Sequence, residues 1–153
     1  MQLTRAADYA VRVMVHLASP EHRRVSLGGL AQATGAPESF LSKVLQALTR
    51  ARLIESQRGQ AGGFEISARG SGASMRDVIE AIDGPIRLNI CLNSGKTCAR
   101  KHWCPAHPVW VEAQQAMLDV LERASISELA DPTRFVQINS SKGRAAAPVS
   151  REC

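Results

Sequence analysis

Cys91, Cys98 and Cys104 fall within fourteen residues, in the run PIRLNICLNSGKTCARKHWCP, and His107 stands three positions after the last of them. The pattern is C-x6-C-x5-C-x2-H. Thiolates are soft ligands and imidazole is intermediate, so this set can complete a tetrahedral zinc site or hold an iron-sulfur cluster. Zinc knuckles separate their paired cysteines by roughly two to four residues. The gaps of six and five here suit a loop draped over a larger object, which favours the cluster. Zinc, thiol redox chemistry, or no ligand at all are the alternatives.

His107 lies almost one helical turn past Cys104, on the same side of a helix start, and is the preferred fourth ligand. Its competitor is Asp8, an acidic residue in an otherwise apolar first helix. Asp8 reaches the loop only if the tertiary or dimer arrangement brings it there; otherwise it is a first-turn carboxylate facing the positive end of the helix dipole. The loop also holds Arg87, Lys96, Arg100 and Lys101 and no acidic residue. Nearby cations favour thiolate and offset the charge of a thiolate-ligated cluster. His102, beside Trp103, reads as a surface or packing residue, and Cys153 is set apart near the C-terminus. No C-x-x-C, nucleotide-binding glycine loop or nucleophile-base motif accompanies the cysteines, which argues against an enzyme.

The elements that must position these residues are read from periodicity. With 153 residues, 44% hydrophobic and 22% charged, the chain is one compact domain plus an appendage. A net charge of +5 favours an anionic partner, while an aromatic content of 4% argues against a stacking platform for single strands. No apolar run is long enough to span a membrane, and Arg5, Asp8 and Arg12 make the N-terminus an amphipathic helix rather than a signal peptide, so a cytoplasmic location is expected.

Ala10, Val13, Met14 and Leu17 predict a first helix over about 3–18. Ser26 reads as the cap of a short helix ending at Gly35, and Pro37 opens a third that carries Leu41, Val44, Leu45 and Leu48 on one face. Two helices about a tight turn, over 27–50, form a helix-turn-helix candidate. Two strand-compatible runs around Gly59, Gly62 and Gly63, over 53–67, form a wing. Ser74 and Asp77 resemble a capping box. The expected architecture is therefore mostly α with a small β-hairpin. A winged helix-turn-helix over 1–83 is followed by the cysteine loop over 84–104, a long dimerisation helix with a short capped helix over 105–130, and a disordered tail over 131–153. The stripe Trp110, Ala113, Met117, Val120 and Ala124, widened by Leu121, either packs on its own domain or serves as a dimer seam. The helix-turn-helix favours the seam, because two copies are needed to read two half-sites.

The opening MQLTRAADYAVRVMVHLA, the segment LGGLAQATGAPESFLSKVLQALTRARLI, the wing ESQRGQAGGFEIS, the segment SMRDVIEAIDGP and the junction CPAHPVW together resemble the IscR and NsrR family of bacterial winged-helix regulators, over about 1–131. The resemblance implies a dimeric transcription factor that binds a palindromic operator in double-stranded DNA. It matches Cys91, Cys98 and Cys104 to the family's cluster cysteines and His107 to the histidine ligand of the IscR branch, whose cluster is [2Fe-2S]. The first gap is one residue longer than is typical of that branch. Asp8 matches an aspartate that, in some NsrR proteins, ligates a [4Fe-4S] cluster from the partner subunit. On the DNA side the helix from Pro37 should present Ser39, Phe40, Ser42 and Lys43 to the major groove, and Arg58 resembles the residue that probes the minor groove. Ser42 stands where IscR carries an acidic selectivity residue, which implies a different preferred operator. Arg50 and Arg52 are either phosphate contacts or complements to the helix dipole.

Overall fold

The computed structural model describes residues 3–59, 62–93 and 98–133. Its elements are α1 (Arg5–Ala18), α2 (Leu27–Thr34), α3 (Glu38–Arg50), β1 (Ile54–Gln57), β2 (Gly63–Ile66), α4 (Ala68–Ser71), α5 (Met75–Asp83), α6 (His107–Arg123) and α7 (Ile126–Leu129). The tail expected at 131–153, Cys153 included, lies almost entirely outside the described residues.

Local chemistry sets most boundaries. The first helix begins at Arg5, two residues later than periodicity suggested, because Thr4 is its cap: its hydroxyl accepts from the Ala7 amide at 3.2 Å. Thr4 also donates through its hydroxyl and amide to the Asp83 carboxylate, at 2.6 and 3.2 Å, so one residue starts α1 and ties it to the end of α5. Ser26 caps α2, and Gly35 closes it at φ 70°. Pro37 is the cap of α3 rather than its first residue. The Ser74 and Asp77 capping box is present in both directions, and Ser125 caps α7.

α1 is the central strut, packing against α2, α3, β2, α5 and α7. Its buried stripe of Ala10, Val13, Met14 and Leu17 meets Leu30, Leu41, Leu45, Leu48, Ile54, Val78 and Ile126 in the main core. A second, smaller core joins Ala7, Ile79, Ile86 and Leu118 and seats α6 on α1 and α5. The strands pair antiparallel, Ile54 opposite Ile66 and Gln57 opposite Gly63. Three features carry no clear mark in the sequence: the turn of helix α4, the antiparallel bridge of Val25 to Phe64, which adds a third strand-like segment to the hairpin, and the bridge between Ser74 and Ser125.

α6 corrects two expectations. It starts at His107, not Pro105. The stripe read from the sequence is also divided between two faces: Met117 and Leu121 pack inward beside Leu118, the buried residue of this helix, which that stripe omitted. Val109 and Val120 are exposed at 64% and 57%, and Ala113 and Ala116 are exposed between them. These four alternate steps of four and three, so the outer face carries its own apolar seam.

Arg52 follows the end of α3 at φ 59°, the sole positive φ at a non-glycine among the described residues. Left-handed backbone at a residue with Cβ costs about 1 kcal/mol or more. Glycine removes that cost but loses more entropy on folding, so Arg52→Gly is expected to leave stability unchanged or raise it by up to about 1 kcal/mol, read from denaturant melts.

At the C-terminal end of α1, His16 and His22 stack with ring centroids 4.1 Å apart. Burial, and then the neighbouring His22, lower the His16 pKa from its ordinary 6.5. A histidine with a depressed folded value binds more protons unfolded. Its contribution is therefore intact above about pH 6.5 and lost as pH falls from there through the folded value. Thermal melts from pH 8 to 5 should show stability falling with acid, and His16→Gln should flatten that slope; an unchanged slope would show that the pair is not responsible.

Candidate nucleic-acid interface and cysteine loop

α3 places its apolar positions, Leu41, Val44, Leu45 and Leu48, inward, which leaves Ser39, Phe40, Lys43, Gln46 and Arg50 exposed. The DNA-facing candidates differ in freedom. Ser39 and Lys43 are exposed, and among the described residues neither side chain has a hydrogen-bond or ion-pair partner. Phe40 is 36% exposed but packs edge-on against Tyr9 of α1, centroids 5.6 Å apart, so the first turn of α3 is pinned to the central helix. Ser42 is half-buried, and its hydroxyl donates to the Glu38 carbonyl at 2.8 Å, which leaves it an acceptor toward a ligand. Arg58 is exposed at the base of the wing.

A groove of about 500 Å3 runs between α3 and the wing, with Leu45 and Phe64 in its floor and Ser42, Gln46, Arg50, Ser56, Gln57 and Arg58 on its walls. Thus Ser42 and Arg58 face one concavity. Gln46, Ser56 and Gln57 belong with them but were not singled out from sequence. Their signal was available: Ser42, Gln46 and Arg50 stand at successive i+4 positions on the polar side of α3, and the β1 residues on the other wall lie just ahead of Arg58.

The position of the wing rests on its junctions. Arg24 pairs with Glu65 at 2.7 Å beside the Val25 bridge, fixing β2 against the segment that leads into α2. Gly70, in the turn of α4, is packed so closely against the Leu53 carbonyl that a side chain there would collide with backbone.

In the loop between α5 and α6, Cys91 sits in a 3-10 turn, Ile90–Leu92, and Cys98 and Cys104 flank a second turn. All three are half-buried free thiols. The Cys104 amide donates to the Arg100 carbonyl at 2.8 Å, and the Cys104 carbonyl accepts from the His107 amide at 3.1 Å, so loop and helix join through backbone bonds. His107 is the first residue of α6, and its Nδ1 is buried with no hydrogen-bond partner among the described residues. A buried ring nitrogen without a partner is costly unless something binds it.

The loop is tethered at its root from both sides. The Ile86 amide donates to Glu80 of α5 and the Leu88 amide to Gln114 of α6, each at 3.1 Å. Arg87 donates to its neighbouring Ile86 carbonyl, and Arg100 lies over Trp103, itself 69% exposed. His102 is exposed, as expected for a surface residue. Residues 94–97, including Lys96, lie outside the described residues.

Among the described residues, no three His, Cys, Asp or Glu side chains gather as a metal site. Asp8 is exposed on the first turn of α1 and paired with Arg12 at 2.9 Å, not drawn to the loop. The donor set still fits a soft metal centre: three free thiols and one buried, unpartnered imidazole nitrogen. No helix among the described residues is long and apolar enough to cross a membrane.

Comparison with known proteins accords with this layout. Residues 3–132 match the family model Rrf2, described as an iron-dependent transcriptional regulator. A protein of Mycobacterium tuberculosis named as an HTH-type transcriptional regulator is 36% identical over 137 residues, covering 85% of this chain and 81% of that protein. The HTH-type transcriptional regulator IscR of Vibrio vulnificus is 27% identical over 140 residues, covering 91% and 83%. The solved structure of CymR, the global cysteine regulator of B. subtilis, has the same fold, with a TM-score of 0.68 at 23% identity over 85% of this chain and 96% of that one. The winged-helix fold and the sequence match over nearly the whole described chain agree, and the chain belongs to the Rrf2 family of transcriptional regulators and is not an enzyme.

Proposed function

We propose that this protein is a homodimeric, operator-binding regulator whose cysteine loop holds an iron-sulfur cluster, [2Fe-2S] in preference to [4Fe-4S], through Cys91, Cys98, Cys104 and His107. The observation that carries the reading is the buried, unpartnered Nδ1 of His107, in the same segment as three free thiols. The family description, an iron-dependent transcriptional regulator, supports it. When bound, the cluster supplies a centre sensitive to oxidation, nitrosylation and iron supply.

The chain's own residues do the coupling. Glu80 and Gln114 hold the amides of Ile86 and Leu88, so the loop cannot rearrange without pulling on α5 and α6. α5 packs on α1 and α3, and α1 holds Phe40 at the start of α3 through Tyr9. A tenfold change in operator affinity needs only about 1.4 kcal/mol of such coupling. On DNA, Ser39, Phe40, Ser42 and Lys43 serve the major groove and Arg58 the minor groove, and a twofold pair of such faces suits a palindromic operator. Dimerisation uses the outer seam of α6, Val109, Ala113, Ala116 and Val120.

The test is anaerobic purification followed by visible absorption and native mass spectrometry of wild type, His107→Ala and Asp8→Ala. The reading expects cluster loss or marked lability in the His107 variant alone. Loss in the Asp8 variant alone would reassign the fourth ligand to Asp8, which must then leave Arg12. A colourless wild type with stoichiometric zinc would favour a zinc-stabilised regulator without redox sensing.

A further inference from the structure

A second concave surface lies past the end of the recognition helix. Arg50, Arg52 and Arg69 line a crevice of about 380 Å3 between α3, α4 and α5. Asp77 and Glu80 also border it, but both carboxylates are engaged. Asp77 accepts from the amide and hydroxyl of Ser74, each at 2.8 Å, and Glu80 pairs with Arg76 and accepts from the Ile86 amide. The three arginines are exposed, and among the described residues none of their guanidiniums has an ion-pair or hydrogen-bond partner. Three unpaired arginines outnumber the two carboxylates around the hollow, so the crevice carries a net positive charge that attracts an anion.

Arg52 adds an independent observation. It occupies the left-handed conformation, φ 59°, where glycine is the unstrained choice. Its hydrogen bonds to the fold are made by backbone alone: its amide donates to the Thr49 carbonyl, and its carbonyl accepts from the Ser67 hydroxyl. The fold therefore asks nothing of the guanidinium, while the backbone bears the strain of carrying it. Arg50 lines both this crevice and the groove between α3 and the wing, so the two surfaces meet at this residue, with Arg58 on the groove.

We propose that the crevice takes the sugar-phosphate backbone of duplex DNA flanking the segment read by α3 and the wing, with Arg52 and Arg69 each bound to a phosphate. Guanidinium forks match phosphate oxygens in bidentate geometry, and such pairing carries affinity and salt dependence without sequence preference. The inference rests on DNA binding by α3 and the wing, and wild-type binding to a minimal duplex reports on that separately.

The probe is a duplex selected by the wild-type protein from random sequence. One form is trimmed to the outermost base pair whose substitution weakens binding; the other is extended by ten base pairs on each side. The variants are Arg52→Gly and the double variant Arg52→Gly with Arg69→Gln, which leave Arg50 and the groove intact. The proposal expects the double variant to bind the extended duplex at least tenfold more weakly than wild type. Its log-log salt slope should be shallower by about 0.9 for each phosphate it no longer neutralises. Binding to the trimmed duplex should stay within twofold. Arg52→Gly alone should show part of the same weakening while melting no lower than wild type, which separates the effect from misfolding. Unchanged affinity on the extended duplex overturns the proposal, as does an equal weakening on both duplexes, which would place these arginines at the base-read segment.

Discussion

Cys104→Ala is expected to strip the visible absorption from the anaerobically purified protein and to make operator affinity indifferent to oxidant and nitric oxide. The substitution is aimed at chemistry alone. Cys104 joins loop to α6 through its amide and carbonyl, and both backbone bonds survive in alanine. Its side chain is only half-buried, so the loss of packing is small, about 1 kcal/mol or less. Removing one thiolate of three, however, leaves a ligand set too poor to hold a cluster against exchange with solvent thiols. Absorption and operator binding by fluorescence anisotropy, before and after exposure to air, read the outcome. A variant with wild-type colour and wild-type sensitivity would sink the sensor reading, while a stable fold without colour supports it.

Val120→Arg is expected to convert the proposed dimer to monomers and to weaken operator binding by about two orders of magnitude or more. Val120 is 57% exposed on the single chain, so arginine there leaves the fold intact, and the smaller core is formed by Leu118 with Met117 and Leu121 on the adjoining face of α6. In a twofold interface the same residue enters from both subunits, which brings in two like charges at a place that excludes water. Losing the second half-site then costs the effective-concentration advantage of bivalent binding, about 10²- to 10⁴-fold. Gln115→Arg is the control, since Gln115 stands on the polar side of the helix, hydrogen-bonded to Asp119 at 2.7 Å. Sedimentation velocity and anisotropy on a palindromic duplex decide the matter. A Val120→Arg protein that sediments as a dimer moves the interface off this seam.

Between them these two experiments divide the reading into sensing and assembly, and they fall on regions that were unequally legible. The donor set of the loop was plain from residue type and spacing, but its closure into a ligand sphere was not. Asp8, weighed as an alternative ligand from the partner subunit, lies exposed on α1 and pairs with Arg12 within its own chain. The long helix was recognised from its period, yet its stripe was assigned to one face. Projection alone cannot distinguish two adjoining apolar faces, one against α1 and α5 and one turned outward, when Met117 and Val120 sit three residues apart.

What the sequence determined by itself is what neighbours a few residues apart decide. Ser26, Ser74 and Ser125 cap helices because a hydroxyl reaches the amide three residues on, and Gly35 ends one because it tolerates positive φ. The order of helix-turn-helix, hairpin, cysteine loop and long helix follows from those signals and from the apolar period. What only the tertiary structure decided depends on partners far along the chain. Thr4 meets Asp83, Tyr9 meets Phe40, Glu80 and Gln114 hold the root of the loop, and Arg69 joins Arg50 and Arg52 around one crevice. Side chains such as these carry no periodic mark, because their roles are set by how helices cross and not by where they begin and end.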